Sequence, residues 1–258
     1  MKLAVSNIGF AENDAAEVFD VMHTCGFTGL EIAPSKFIGQ NPYAKNAAAA
    51  QKAKELHAQY GFVIPSMQSI WFEQSGNLFV PQEAVHLAEY TLRAVDFAVA
   101  VGCKSLVFGC PKNRFIPDGK TEADALSFFV QICAYAAQYD VSIALEANPA
   151  VYGTNFINTS TDAFRFARLV PGLKVNYDMG TLLMNGESLD VLAENLDAVS
   201  HIHISEPSLA PLVRRAEHKM LAQLLRQKGY DGFVSIEMKT SPFAVIKSAI
   251  TNVAEEFA

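Results

Sequence analysis

The stretch Ser142-Ile-Ala-Leu-Glu146 is a short apolar run ending on an acid, and three more of its kind follow: Lys174-Val-Asn-Tyr-Asp178, Ser200-His-Ile-His203 and Val234-Ser-Ile-Glu237. Such runs, set between helical patterns, read as buried strands. Successive side chains of a strand point to opposite faces. In the first run Ile143 and Leu145 share one face, while Ala144, Glu146 and Asn148 share the other. The second sets Val175, Tyr177 and Met179 against Asn176, Asp178 and Gly180. The third sets Ile202 and Ile204 against His201, His203 and Ser205, and the fourth sets Val234, Ile236 and Met238 against Ser235, Glu237 and Lys239. One rule therefore places Glu146, Asp178, His203 and Glu237 on a common polar face of four successive strands.

Outward from these runs the alternation of strand and helix continues through the whole chain. The remaining strand candidates are Lys2–Gly9, Gly29–Ala33, Phe62–Ile70 and Ser105–Gly109. The four quoted runs extend to Ser142–Asn148, Leu173–Gly180, Val199–Ser205 and Phe233–Lys239. Helical patterns fall between them at Asp14–Cys25, Tyr43–Tyr60, Gln82–Val101, Glu122–Tyr139, Thr161–Leu169, Ser188–Asn195, His218–Gln227 and Phe243–Phe257. Thr121 and the Ser160-Thr161-Asp162 segment suit helix starts, and Gly26, Gly61, Gly102 and Gly229 suit helix ends. Eight strands, each followed by a helix and without a linker, predict an α/β fold: a (β/α)8 TIM barrel forming a single domain over residues 1–258. A doubly wound open sheet would be expected to carry a phosphate-binding glycine fingerprint after its first strand, and Asn7-Ile-Gly-Phe-Ala-Glu-Asn is not one. In a barrel the apolar faces pack under the helices and the polar faces line the interior near its mouth. The loops Trp71–Val80 and Pro207–Glu217 are long enough to shape a pocket there.

The 258 residues are 50% hydrophobic, enough for a large core, and the formal charge of −7 speaks against a nucleic-acid partner. Cys25, Cys103, Cys110 and Cys133 form no CxxC pair and suit reduced thiols in a cytoplasm. No run approaches a membrane span, and the apolar stretch at the start is too brief for a signal sequence. The expectation is a cytoplasmic protein without membrane contact; homo-oligomer formation is left open.

Alone, each acid would more often be a loop cap or ion-pair partner, and His203 a satisfied interior histidine. Together they would crowd three carboxylates, with Lys239 the main base near the strand ends. Three carboxylates and an imidazole suit one divalent metal ion: Mn2+, Mg2+ or Co2+ by their hard oxygen donors, with Zn2+ also admissible. Such an ion polarises a carbonyl and an adjacent hydroxyl of a bound sugar and so acidifies the hydrogen between them. Glu146 and Glu237 are the catalytic candidates that would remove and return this proton, on one face for isomerisation or on opposite faces for epimerisation. Substrate-binding candidates are Trp71 as a pocket wall, Lys112 and Arg114 as anion holders, Asn148 for a sugar hydroxyl, Glu31, and His201 one layer beneath His203. Each has a plainer alternative in core packing or a solvated loop.

At these positions the chain resembles the xylose isomerase-like TIM-barrel superfamily, in particular its sugar isomerases and epimerases. The resemblance lies in Ala-Leu-Glu146, Tyr-Asp178-Met-Gly180, His201-Ile-His203, Tyr230-Asp-Gly-Phe-Val-Ser-Ile-Glu237 and Gly29-Leu-Glu31-Ile. It implies a metal held by Glu146, Asp178, His203 and Glu237, with the two glutamates as acid and base, and a small sugar or polyol as substrate. Two departures stand out. Ketose 3-epimerases of the superfamily carry a histidine where this chain has Thr181, and an arginine soon after the histidine ligand, where it reads Ser205-Glu-Pro-Ser-Leu-Ala-Pro. Members resembling endonuclease IV need further histidines, which strands three and four lack. A dehydratase of a polyol or keto-acid ring (inosose- or dehydroshikimate-dehydratase-like) and a non-catalytic sugar-binding barrel remain as alternatives.

Overall fold

The computed structural model of the chain describes residues 1–257. Its eight strands are β1 (Lys2–Ser6), β2 (Gly29–Glu31), β3 (Ser66–Met67), β4 (Ser105–Phe108), β5 (Ser142–Glu146), β6 (Lys174–Asp178), β7 (Val199–Ser205) and β8 (Phe233–Glu237). All pair in parallel, in the order β2-β1-β8-β7-β6-β5-β4-β3. The two ends of that order meet, because Leu30 N–H donates to Val63 O (2.9 Å), Ile32 N–H to Ser66 O (3.2 Å) and Gln68 N–H to Ile32 O (2.9 Å). The result is a nearly closed barrel in a ring of helices, the expected (β/α)8 single-domain fold.

Ten helices follow the strands: α1 (Ala15–Thr24), α2 (Pro34–Ile38), α3 (Asn46–Tyr60), α4 (Pro81–Val101), α5 (Leu126–Ala137), α6 (Ser160–Ala167), α7 (Met179–Asn185), α8 (Asp190–Asn195), α9 (Ala216–Gln227) and α10 (Phe243–Phe257). The outward-facing Ile143, Leu145, Val175, Tyr177, Ile202, Ile204, Val234 and Ile236 are at most 1% exposed. Burying each aliphatic side chain of this kind contributes about 1.5–3 kcal/mol, so the sheet–helix interface sets the register of the polar interior.

Three expectations are corrected. The third strand, expected over Phe62–Ile70, has only two residues, because Pro65 before it has no N–H to pair and the backbone after it turns left-handed at Ser69 (φ 53). The sixth was expected to run to Gly180, yet α7 begins at Met179 with Asp178 as its cap. The start of α6 is capped by Thr159, whose hydroxyl accepts the Asp162 N–H, instead of by the Ser160-Thr161 pair. The expected cap at Thr121 is present, with Asp124 completing its capping box.

Candidate active site

His203 stands at the centre of the polar interior, fully buried, with its two ring nitrogens facing different groups. Nδ1 lies 3.2 Å from Glu146 Oε2 and 3.1 Å from Glu237 Oε2. Nε2 lies 2.9 Å from Glu31 Oε2. Asp178 completes the cluster from the end of β6. Its Oδ2 accepts the Thr181 N–H (2.8 Å) and hydroxyl (3.0 Å), and its Oδ1 accepts the Ser205 hydroxyl. One donor atom each from Asp178, His203 and Glu237 lie within 4.8 Å of one another. Ligands around a six-coordinate ion at bonds of about 2.1 Å are roughly 3–4.2 Å apart, so the spacing suits a single small cation.

A shell of amides and one guanidinium holds these carboxylates. Asn176 Nδ2 donates to Glu146 Oε2 (2.6 Å), and Asn148 Nδ2 donates to Glu146 Oε1 (3.0 Å). Gln68 Nε2 donates to Glu237 Oε1 (2.8 Å) and to Glu31 Oε1 (3.0 Å). Arg114 Nη2 reaches the Glu146 carbonyl (2.8 Å) and Asn148 Oδ1 (2.7 Å). Two glycines leave room for this packing. A Cβ on Gly109 would stand 3.1 Å from Glu146 Oε1, and one on Gly180 would stand 2.8 Å from Ser205 Oγ.

The electrostatics separate the two glutamates although both face the same imidazole nitrogen. Burial opposes ionisation of Glu146, but the His203 hydrogen bond and charge, Asn148 and Arg114 outweigh it and hold its pKa below the usual range. Burial dominates at Glu237, and the charges of Glu146 and Asp178 add to it, so that its pKa is pushed up to about 7 despite His203. Asp178 is likewise raised, by burial and by Glu146. His203 is raised well above its ordinary value: its burial works against this, but Glu237 and Glu31 prevail. Among the described residues Arg114 is the fixed cation that acts on Glu146, and the donor set suits a divalent ion, which would stand in for the protons the cluster otherwise keeps.

Of the four ligand candidates, Asp178, His203 and Glu237 fall in one group, and Glu146 approaches it through His203 Nδ1. The substrate-binding candidates fare differently. Glu31 does point inward, yet it is 0% exposed beneath His203 and cannot meet a sugar. His201 is equally buried, with Nε2 2.9 Å from both Glu31 Oε2 and Ser66 Oγ. Trp71 belongs to the core: its Nε1–H donates to Thr91 Oγ1 (2.8 Å) and its ring meets Phe108 edge-on at 4.7 Å. Arg114, fully buried, has no access to an external anion. Lys112 stands exposed on the loop after β4. Asn148 lies against Glu146 and is nearly buried. Sequence reasoning missed Gln68, Asn176, Ser66 and Ser205 as members of the site. Asn176 and Ser205 shared the inward face with Asp178 and His203, so alternation alone could have found them.

A family model described as xylose isomerase-like TIM barrel matches residues 19–257. The chain belongs to this family. Among solved structures it is similar to a 3-keto-D-glucoside 4-epimerase from E. coli, at 18% identity and TM-score 0.78, over 99% of this chain and 98% of that one. It is also similar to a D-psicose 3-epimerase from Clostridium cellulolyticum H10, at 16% identity and TM-score 0.73, over 100% and 96% of the two chains. A family 2 AP endonuclease from Brucella melitensis matches at 18% identity and TM-score 0.75, over 99% of both chains. At such identities the likeness is one of fold. No curated protein matches the chain.

Proposed function

We propose that this family member is a divalent-metal-dependent sugar isomerase or epimerase that moves a proton beside a carbonyl. The observation that carries the reading is the convergence of Glu146 and Glu237 on His203 Nδ1, at 3.2 and 3.1 Å, with Asp178 closing the cluster. Glu146, Asp178, His203 and Glu237 would hold the ion. When bound, it would polarise a sugar carbonyl and its neighbouring hydroxyl. Glu146 and Glu237, which face His203 Nδ1 from β5 and β8, are the two carboxylates fit to accept the carbon-bound proton and to return one. The rest of the substrate has room nearby: a cavity of about 400 Å3 is lined by Ile8, Ala33, Ser69 and Phe72, which follow β1, β2 and β3. Its wall touches the site, since the Ser69 hydroxyl donates to Gln68 Oε1 (3.1 Å). The sugar-epimerase folds among the relatives are consistent with this reading.

The test is metal analysis of the purified protein, followed by proton–deuterium exchange at carbon over a panel of ketoses. The reading predicts about one ion per chain and exchange with ketose recovered. Loss of water with an enone absorbance would instead assign a dehydratase. No ion and no exchange would leave a sugar-binding barrel.

Two expected results follow at this site. Gly109→Ala is expected to keep the fold but to lower Mn2+ affinity about tenfold, because the added methyl crowds Glu146 Oε1; titration calorimetry reads this directly. The second result concerns pH. Glu237, Asp178 and His203 all have folded pKa values above their unfolded ones. Each therefore binds more protons folded than unfolded across that interval, and the metal-free protein loses stability as pH rises through it. For Glu237 the interval runs from 4.5 to about 7. The loss is expected to reach about 2–3 kcal/mol, or a Tm lower by roughly 5 °C at pH 8 than at pH 5. Mn2+ should cancel this fall, with release of about one proton per ion bound near neutral pH. A flat Tm profile in the metal-free protein would contradict the assignment.

A further inference from the structure

We infer that Glu31 is a positioning residue for His203: its buried carboxylate takes the Nε2–H of that imidazole and thereby aims Nδ1 at the space between Glu146 and Glu237. The inference rests on reading that space as an ion site.

β2 sets Glu31 beside Ser6 of β1, pointing into the barrel below the cluster. Its side chain, like that of His203, is 0% exposed. Oε2 lies 2.9 Å from Nε2 of His203 and 2.9 Å from Nε2 of His201, and it also accepts the Ser66 hydroxyl. Oε1 accepts the Gln68 amide at 3.0 Å. An ionised carboxylate only accepts hydrogen bonds, so Nε2 must be the proton-bearing nitrogen of His203. The Ser66 hydroxyl, the Gln68 amide and the two imidazoles all converge on this carboxylate, the surroundings of an ionised acid. A neutral imidazole with its proton on Nε2 carries its lone pair on Nδ1, the nitrogen facing the cluster. Turning the ring over would set a lone pair against the carboxylate at a position where both side chains are fully buried. Gln68 ties the same layer to Glu237, so one buried acid governs the aim of the imidazole and, through one amide, the placement of the opposite glutamate.

The trio Glu31, His201 and His203 also has ligand atoms within 4.8 Å of one another. An ion there would compete with the Ser66 hydroxyl and the Gln68 amide for the carboxylate. It would also require both Nε2 atoms to lose their protons, which would move a proton of His203 onto Nδ1 and spoil the outer site. One ion, not two, is the consequence.

Three measurements on the full chain test the inference. Calorimetric titration with Mn2+ should give one ion per wild-type chain, with Glu31→Gln binding about 10–100-fold more weakly at unchanged circular dichroism. His201→Gln, which disturbs the same buried layer but spares the bond from Glu31 to His203, should bind within a few-fold of wild type. In wild-type protein loaded with 113Cd, nitrogen NMR should show coupling of the ion to Nδ1 of His203 while Nε2 keeps its proton; this readout needs no variant to fold. Binding by Glu31→Gln within twofold of wild type, an equal loss in His201→Gln, two ions per chain, or coupling to Nε2 would each overturn the inference. Wild-type protein that takes up no ion would instead fail the functional reading on which it rests.

Discussion

Glu146→Gln is expected to abolish proton–deuterium exchange at the substrate carbon, by about 10²–10⁴-fold, while the protein stays folded. The substitution keeps the side chain's shape, and Asn148 can still donate to its carbonyl oxygen. It removes the negative charge that Asn176, Asn148 and His203 are arranged to stabilise, and with it the capacity to accept a proton. Thermal unfolding and circular dichroism establish that the fold survives, and mass spectrometry of ketoses recovered from deuterated water reads the exchange. Full exchange in this variant would remove Glu146 from the chemistry. Glu237→Gln is the natural companion, because Glu237 faces the same imidazole nitrogen from β8.

The largest loss of stability is expected at Arg114. Its guanidinium is 0% exposed, stands 5.9 Å from the Phe156 ring, and spends Nη2 on the Glu146 carbonyl and Asn148. Burial lowers its pKa to about 10. Arg114→Ala would open a cavity and leave two buried acceptors without a donor, at a cost of about 3–5 kcal/mol. Relief of the unpartnered Nε and Nη1 groups offsets part of this, so Arg114→Met, which refills much of the volume, should cost less. The fall in urea midpoint at unchanged m-value measures both. A midpoint unmoved by the alanine variant would mean that the loop after β4 holds β5 by other contacts.

The eight strands were legible because buried apolar faces impose a period of two, and Glu146, Asp178, His203 and Glu237 came with them. What escaped was governed by neighbours distant in sequence. Arg114 read as a loop cation open to anions; only the tertiary fold shows it turned inward against Asn148, a residue 34 positions on. Trp71 read as a pocket wall, and it is core because Thr91 and Phe108 wait for it. Gln68 stayed hidden because the Phe62–Ile70 run has no cleanly polar face: Ser66 and Gln68 share theirs with Phe62, Ile64 and Ile70. The helix beginning at Met179 was missed for a related reason. Asp178 caps it through Thr181, and a strand-end acid looks the same in sequence whether it caps a helix or faces an empty mouth.

The layer formed by Glu31, His201, His203, Ser66 and Gln68 occupies the middle of the barrel, where aliphatic residues would otherwise meet. Each member is tolerable only beside the others, since a lone survivor would be a charge or dipole stranded in a dry interior. Descent should therefore treat the group as a unit. A lineage that gave up the chemistry would be expected to replace all five together with hydrocarbon, and one that retains any of them has inherited a reason to retain the rest.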